Sequence, residues 1–216
     1  MTPFAAPCND AIGFDCNTKL TVASARIAAA MGFKFATRYV GISHPNPGDI
    51  DVNETQIILG EIGALWVVQH VLNPGWSPSM QLGQSHGQAA VRNAQLAGYI
   101  GGAVLWQDLE GILAGTSGQA VIDYCGAYGT VLLAEGYLHG LYDGFNAILS
   151  ASQLYHSLPT VRTYWAASPR YTLPVRGFAK VQVVEDFTPR ALGFPIDIDM
   201  CGEDALGDRP MWMRAA

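Results

Sequence analysis

The sequence predicts an α/β fold, a (β/α)8 TIM-like barrel that is short and has reduced helices in the last third. Three observations predict it. Apolar strand-like runs alternate with helical stretches along the chain, giving about eight strands. Such alternation implies a parallel sheet joined by right-handed crossovers. The 216 residues fall somewhat below the usual barrel size of about 250, which fits a barrel that has lost helices. No G-x-G-x-x-G follows the first strand and no P-loop occurs, which weighs against an open doubly wound sheet.

The elements follow in order. Residues 11–15 read as a first strand ending in Asp15. Asn17 or Thr18 can cap a helix over about 20–31, stopped by Gly32. Residues 33–40 form the second strand, and 41–50, with Pro45, Pro47 and Gly48, a loop. Asn53 and Gln56 have capping-box spacing for a helix to about residue 62, with Gly63 at its C-terminus. The third strand is 65–70. A helix of small residues over about 84–97 leads to the fourth strand at Ala103. Residues 116–135 read as helix, 137–142 as the fifth strand, and 147–156 as a helix closed by Pro159. Strands at 161–166, 179–184 and 195–199 complete the set. Their connections contain Pro169, Pro174 and Pro189 and leave little room for full helices.

Composition bounds the class. Half the residues are hydrophobic and 14% are charged, which suits a single domain over 1–216 with a core at about 11–200 and a C-terminal tail at 201–216. Net charge is −6 and the twelve Lys and Arg are scattered, so nucleic acid is not an expected partner. No apolar run is long enough for a membrane span. Residues 1–10 lack the pattern of a signal peptide, so localisation stays unassigned. Cys8, Cys16, Cys125 and Cys201 have no metal spacing. They read as free thiols, with a Cys8–Cys16 bridge as the one alternative.

The fourth strand carries the chemistry. In Ala103-Val104-Leu105-Trp106-Gln107-Asp108-Leu109-Glu110-Gly111, a side-chain period of two puts Trp106, Asp108 and Glu110 on one side. Two neighbouring acids at a buried strand end tend to have separated pKa values, and a charged neighbour is expected to keep Glu110 protonated. That is the equipment of a glycoside hydrolase. The alternative is an acidic strand end that caps a helix or binds an ion. In a barrel, site residues sit at the C-terminal ends of strands. Those ends read Asp15, Arg38-Tyr39, Gln69-His70, Asp108 with Glu110, Tyr142-Asp143, Trp165, Gln182, and Asp197 with Asp199. Acids and amides can hydrogen-bond sugar hydroxyls, and aromatic rings can stack on sugar C–H faces.

The series Gly13-Phe14-Asp15, Phe35-Ala36-Thr37-Arg38-Tyr39, Asp108-Leu109-Glu110, Gly140-Leu141-Tyr142, Tyr164-Trp165-Ala166 and Ile196-Asp197-Ile198-Asp199 resembles the glycoside-hydrolase-like barrels related to the family 25 lysozymes. The Arg38-Tyr39 ending is more similar to the Rv2525c-like branch, once filed as a domain of unknown function. The resemblance spans about residues 12–199, and its specificity lies in the order and spacing of short motifs. It implies Glu110 as general acid, Asp108 as its companion, and Asp15 and Asp197 lining the cleft. Arg38, Tyr39, Gln69, Tyr142, Trp165, Gln182 and Asp199 are the expected substrate contacts, with pairing to a cleft acid as the structural alternative for Arg38. The chain departs from the lysozyme pattern at Asp197-Ile198-Asp199, where D-x-N is usual, and at Cys16-Asn17, where a Ser follows the first Asp.

Other candidates read as structural. His44, His70, His86, His139 and His156 show no metal or triad pairing, and no G-x-S-x-G occurs. Asp204 and Asp208 read as solvated, and Trp76 and Trp212 as packing. Three functions remain open: cleavage of a β-1,4 bond in peptidoglycan or a related cell-wall polysaccharide, a non-catalytic carbohydrate-binding barrel, and a metal-dependent phosphodiesterase-type hydrolase. The first two need no cofactor or metal, and their partner is a cell-wall glycan.

Overall fold

The computed structural model describes residues 3–167 and 176–215. Eight strands close into a barrel. They are β2 (Ala11–Asp15), β3 (Ala36–Val40), β4 (Ala64–Gln69), β5 (Val104–Leu109), β6 (Leu138–Asp143), β7 (Val161–Ala166), β8 (Lys180–Phe187) and β9 (Ile196–Cys201), and β9 pairs back onto β2. Helices α1 (Val22–Ala30), α2 (Val52–Glu61), α3 (Met80–Leu96), α4 (Gly118–Ala134) and α5 (Ala151–His156) fill the connections from β2 to β7.

The sheet is not wholly parallel. Strands β2 to β8 run parallel, but β9 is antiparallel to both β8 and β2. The connection at 188–195 is too short for a parallel crossover, which needs a dozen or more residues. A hairpin-like reversal is what it permits.

Helix starts lie where side chains meet backbone N–H groups. Thr21, not Asn17 or Thr18, caps α1 in a capping box with Ser24. Asp51 caps α2 by accepting from Glu54 N–H, and α3 starts at Met80, capped by Ser79. Gly63, at φ +111°, ends α2 as expected.

Inside the barrel, Phe35, Trp66, Val68, Val104, Trp106 and Trp165 pack together. The outward residues of the same strands, including Leu65, Val67 and Leu105, pack with helix residues such as Ile58 and Ala90. The segment expected to be a tail is structured. β10 (Trp212–Arg214) pairs with the start of β4 and with β1 (Phe4–Ala5), and Trp212 lies 5.4 Å from Trp66. Asp204 is buried against Arg176 at 3.3 Å, which corrects its solvated reading. All four cysteines are free thiols, so no Cys8–Cys16 bridge forms.

Candidate active site

The acid pair stands where the alternation puts it. Trp106 belongs to the barrel interior, while Leu105 and Leu109 pack in the helix layer. Asp108 faces inward with an oxygen buried and unpartnered. Glu110 follows the last residue of β5. Gly111, at φ +66°, turns the chain away, and Trp76 Nε1 donates to the Glu110 carbonyl at 2.8 Å. Gly144 lies against the Glu110 side chain: a Cβ there would come within 2.6 Å of Glu110 Cβ. Only glycine leaves that room.

Three more strands bring partners. Asp15 at the end of β2 stands opposite Asp197 on β9. Asp197 reaches the mouth because β9 begins there, not because a parallel strand ends there. Asp197 Oδ1 accepts from Asp186 N–H at 2.7 Å, Tyr39 OH donates to Asp15 Oδ1 at 2.7 Å, and Tyr142 OH donates to Gln182 Oε1 at 3.1 Å. A recess of about 120 Å³ is lined by Tyr39, Val68, Asp108, Glu110, Tyr142, Trp165, Gln182 and Asp197. It adjoins a wider one of about 270 Å³ that shares Glu110, Tyr142, Gln182 and Asp197 and adds Phe145, Glu185 and Asp186. A further cavity of about 630 Å³ is at the opposite end beside β1 and β10 and has Asp10 as its one carboxylate among the described residues.

Burial dominates the electrostatics. It pushes Asp108 well above the ordinary carboxylate range, helped by the charges of Glu110 and Asp15. Glu110 is raised chiefly by burial, against a hydrogen bond from Phe145 N–H. The cause is therefore desolvation rather than the neighbouring charge expected from the sequence. Asp197 is raised by burial, opposed by Asp186 N–H. Asp15 is raised well above its usual value by burial and then by Asp199, with Lys180 and Tyr39 opposing.

Three expected substrate contacts lie elsewhere. Arg38 alternates with the inward Tyr39 and points out to α2. It is fully buried, pairs with Glu54 at 2.7 Å, and donates to the Cys16 and Gly48 carbonyls. Gln69 also points outward and donates to the His86 carbonyl at 2.9 Å. Asp199 faces inward but is 0% exposed, 3.1 Å from Lys180. Tyr39, Tyr142, Trp165 and Gln182 do line the recess. Sequence reasoning missed Gly144 and Lys180. Lys180 has the inward parity of Gln182, two residues on, which is the signal that marks it. Among the described residues, no group of three or more His, Cys, Asp or Glu is arranged to hold a metal ion.

Known structures share this architecture. An uncharacterized B. stearothermophilus protein superposes with a TM-score of 0.68 at 18% identity, covering 88% of this chain and 95% of that one. The Mycobacterium tuberculosis Tat-secreted protein Rv2525c, in complex with L-tartrate, gives 0.66 at 17%, with 88% and 95% covered. A family 25 glycosyl hydrolase from Bacillus anthracis gives 0.58 at 12%, with 93% and 90% covered. At these identities the likeness is one of fold. No curated protein matches the chain in sequence. The model of the Rv2525c-like, glycoside hydrolase-like domain matches residues 15–198, and the chain belongs to that family.

Proposed function

We propose that this protein hydrolyses a β-1,4 glycosidic bond of peptidoglycan or a related cell-wall polysaccharide, with Glu110 as general acid. The observation that carries the reading is the placement of two carboxyls, both raised by burial, at different depths of one recess. Glu110 is part-exposed and lines both the deep and the wide recess, so a glycosidic oxygen can reach it. Asp108 lies deeper, with one oxygen buried and unpartnered. Glu110 gives its proton to the leaving oxygen as the C–O bond breaks, and positive charge develops at the anomeric carbon. A water then attacks that carbon, directly or after the substrate's own N-acetyl carbonyl has done so, and its proton returns to the ionised Glu110. The deep recess, with Val68, Tyr39, Tyr142 and Trp165 as walls and Asp108 as a polar group, has the size and lining for an acetamido group. Asp197 and Asp15 border the same mouth. The fold likeness to a family 25 glycosyl hydrolase supports the same class.

The test is release of dye or loss of turbidity from labelled cell walls, with and without chelator. Wild type is expected to cleave in both conditions and Glu110→Gln in neither. Cleavage abolished by chelator would point to a metal-dependent hydrolase. The non-catalytic reading draws on a specific feature: Asp15 and Asp199 are held by Tyr39 and Lys180 rather than presented to solvent. It predicts glycan binding with no cleavage at any pH.

A further inference from the structure

Below the acid pair lies a cation buried inside the barrel. Lys180 has no exposed surface. Its Nζ donates to Thr37 Oγ1 at 2.7 Å, lies 3.1 Å from Asp199 Oδ2, and sits 3.2 Å from the ring centroid of Trp165. The rings of Phe35, Trp66 and Trp106 stand 5.6, 5.4 and 5.8 Å away. Asp199 faces Gly13 on β2, one inward position below Asp15. Gly13 has no side chain, and a Cβ there would come within 2.5 Å of the Phe35 ring. The Phe35 ring fills that space, and Asp199 and Asp15 stand at adjacent inward positions of paired strands, close enough for each carboxyl to act on the other.

Charge counting constrains this cluster. One amine, lowered by burial but held towards its charged form by Asp199 and Asp15, stands beside two carboxyls, with Lys180 and Asp199 at 0% and Asp15 at 3% exposure. Tyr39 OH supplies Asp15 Oδ1, but Asp15 Oδ2 and both Asp199 oxygens have no hydrogen-bond partner. Two buried carboxylates on one ammonium would leave an uncompensated charge, which costs several kcal/mol. One proton between the carboxyls removes the excess charge and supplies the missing donor, Asp15 Oδ2–H to Asp199.

We propose that Lys180, Asp199 and Asp15 form a proton-sharing triad in the barrel lumen, and that Lys180 and Asp199 are positioning residues that hold Asp15 and Tyr39 as a net-neutral wall of the candidate cleft. Lys180 lies directly against Asp199, which is therefore the ionised partner, and the shared proton sits on Asp15, which burial and the neighbouring carboxyl raise well above its usual range against the pull of Lys180. Among the described residues, the other titratable and polar groups facing the lumen or its mouth include Asp108 from β5 and Glu110 just after it, Tyr142 from β6, Gln182 from β8, and Asp197 and Cys201 from β9. The positioning role rests on the glycosidase reading, but the triad does not.

The first measurement is 13C NMR of the Asp15 and Asp199 carboxyls across a pH series. In wild type, Asp15 is expected to stay protonated at pH 7 while Asp199 is ionised. Both ionised at pH 7 overturns the triad. Lys180→Met is expected to lower Tm by about 10 °C, because it strands a buried carboxylate. Lys180→Met/Asp199→Asn, neutral throughout, is expected to recover at least half of that loss. No recovery counts against the triad. The role at the site is read from the pH dependence of cell-wall cleavage. Asp15→Asn replaces one neutral group by another, so both limbs of its pH profile are expected at the wild-type positions, whatever its rate. A shifted limb means that Asp15 is ionised in the working enzyme and overturns the positioning role. If wild type cleaves no glycan, the glycosidase reading fails, and the NMR and Tm measurements still decide the triad.

Discussion

The barrel wall is built in two ways. From β2 to β6 every strand is followed by a helix, and the outward residues of these strands are mostly covered, with Ile12 near the start of β2 an exception at 47% exposure. From β8 onward no helix occurs among the described residues, and outward apolar residues such as Val183 and Met200 stay 46% and 39% exposed. The inward faces differ as well. Apart from Thr37, Asp15, Tyr39, Asp108 and Tyr142 near the mouth, the helix-covered strands present mainly aromatic and aliphatic side chains. The two closing strands present Lys180, Gln182, Asp197 and Asp199. A covered wall can bury an acid pair and hold it still. An uncovered hairpin tolerates polar residues inside because its few inward positions can satisfy one another.

The largest expected effect tests the covered wall. Glu110→Gln keeps the shape and removes the transferable proton. It should lower turnover on cell walls by roughly two to four orders of magnitude, with glycan binding retained. Wild-type turnover in that variant would falsify the assignment of Glu110.

Next comes the outer face of the same wall. Arg38→Met leaves Glu54 buried without its partner, at a cost of about 3–5 kcal/mol in urea unfolding. The exposed Arg209–Glu203 pair near the chain end, at 2.8 Å, should cost about 1 kcal/mol or less when Arg209 is replaced by Met. Equal costs would erase the contrast between covered and uncovered regions. Gly144→Ala should fold, yet displace Glu110. A shift on the order of 1 Å at a reacting group costs about a hundredfold in kcat. An unchanged kcat would mean that the loop gives way instead.

These contrasts also mark what the sequence made legible. Asp108 and Glu110 were readable because β5 keeps a strict period of two and ends in a glycine. The strand-and-helix order was readable because the first six strands alternate with helical patterns of ordinary length. Arg38 and Gln69 were misplaced for a physical reason: β4 is buried on both faces, so hydrophobicity does not reveal which residues point inward, and Arg38 is a buried charge whose partner is 16 residues away. The direction of β9 was hidden in loop length alone. The segment after residue 201 looked solvated because its glycines and acids masked a three-residue strand and the buried Asp204–Arg176 contact.

The smallest expected effect is the pH dependence of stability, and its sign separates burial from charge pairing. Asp15, Asp108, Glu110, Asp143, Asp197 and Asp199 are all raised mainly by burial. The folded chain therefore holds protons that the unfolded chain loses near pH 4. The stability linked to these groups is full below that point and is lost as pH rises through the folded values, about 6 for Asp199 and about 7 for Asp143. His86 and His139 act oppositely. Burial lowers both, His139 to about 3, so their contribution is present above pH 6.5 and is lost as pH falls. Six acids outweigh two histidines, and Tm should fall by a few degrees between about pH 5 and pH 8 in thermal scans. Asp143 belongs to the covered wall, and Asp143→Asn should flatten the part of that slope nearest pH 7. A Tm that climbs steadily from pH 5 to pH 8 would mean that the two histidines dominate, and that the barrel carries its acids ionised at little cost.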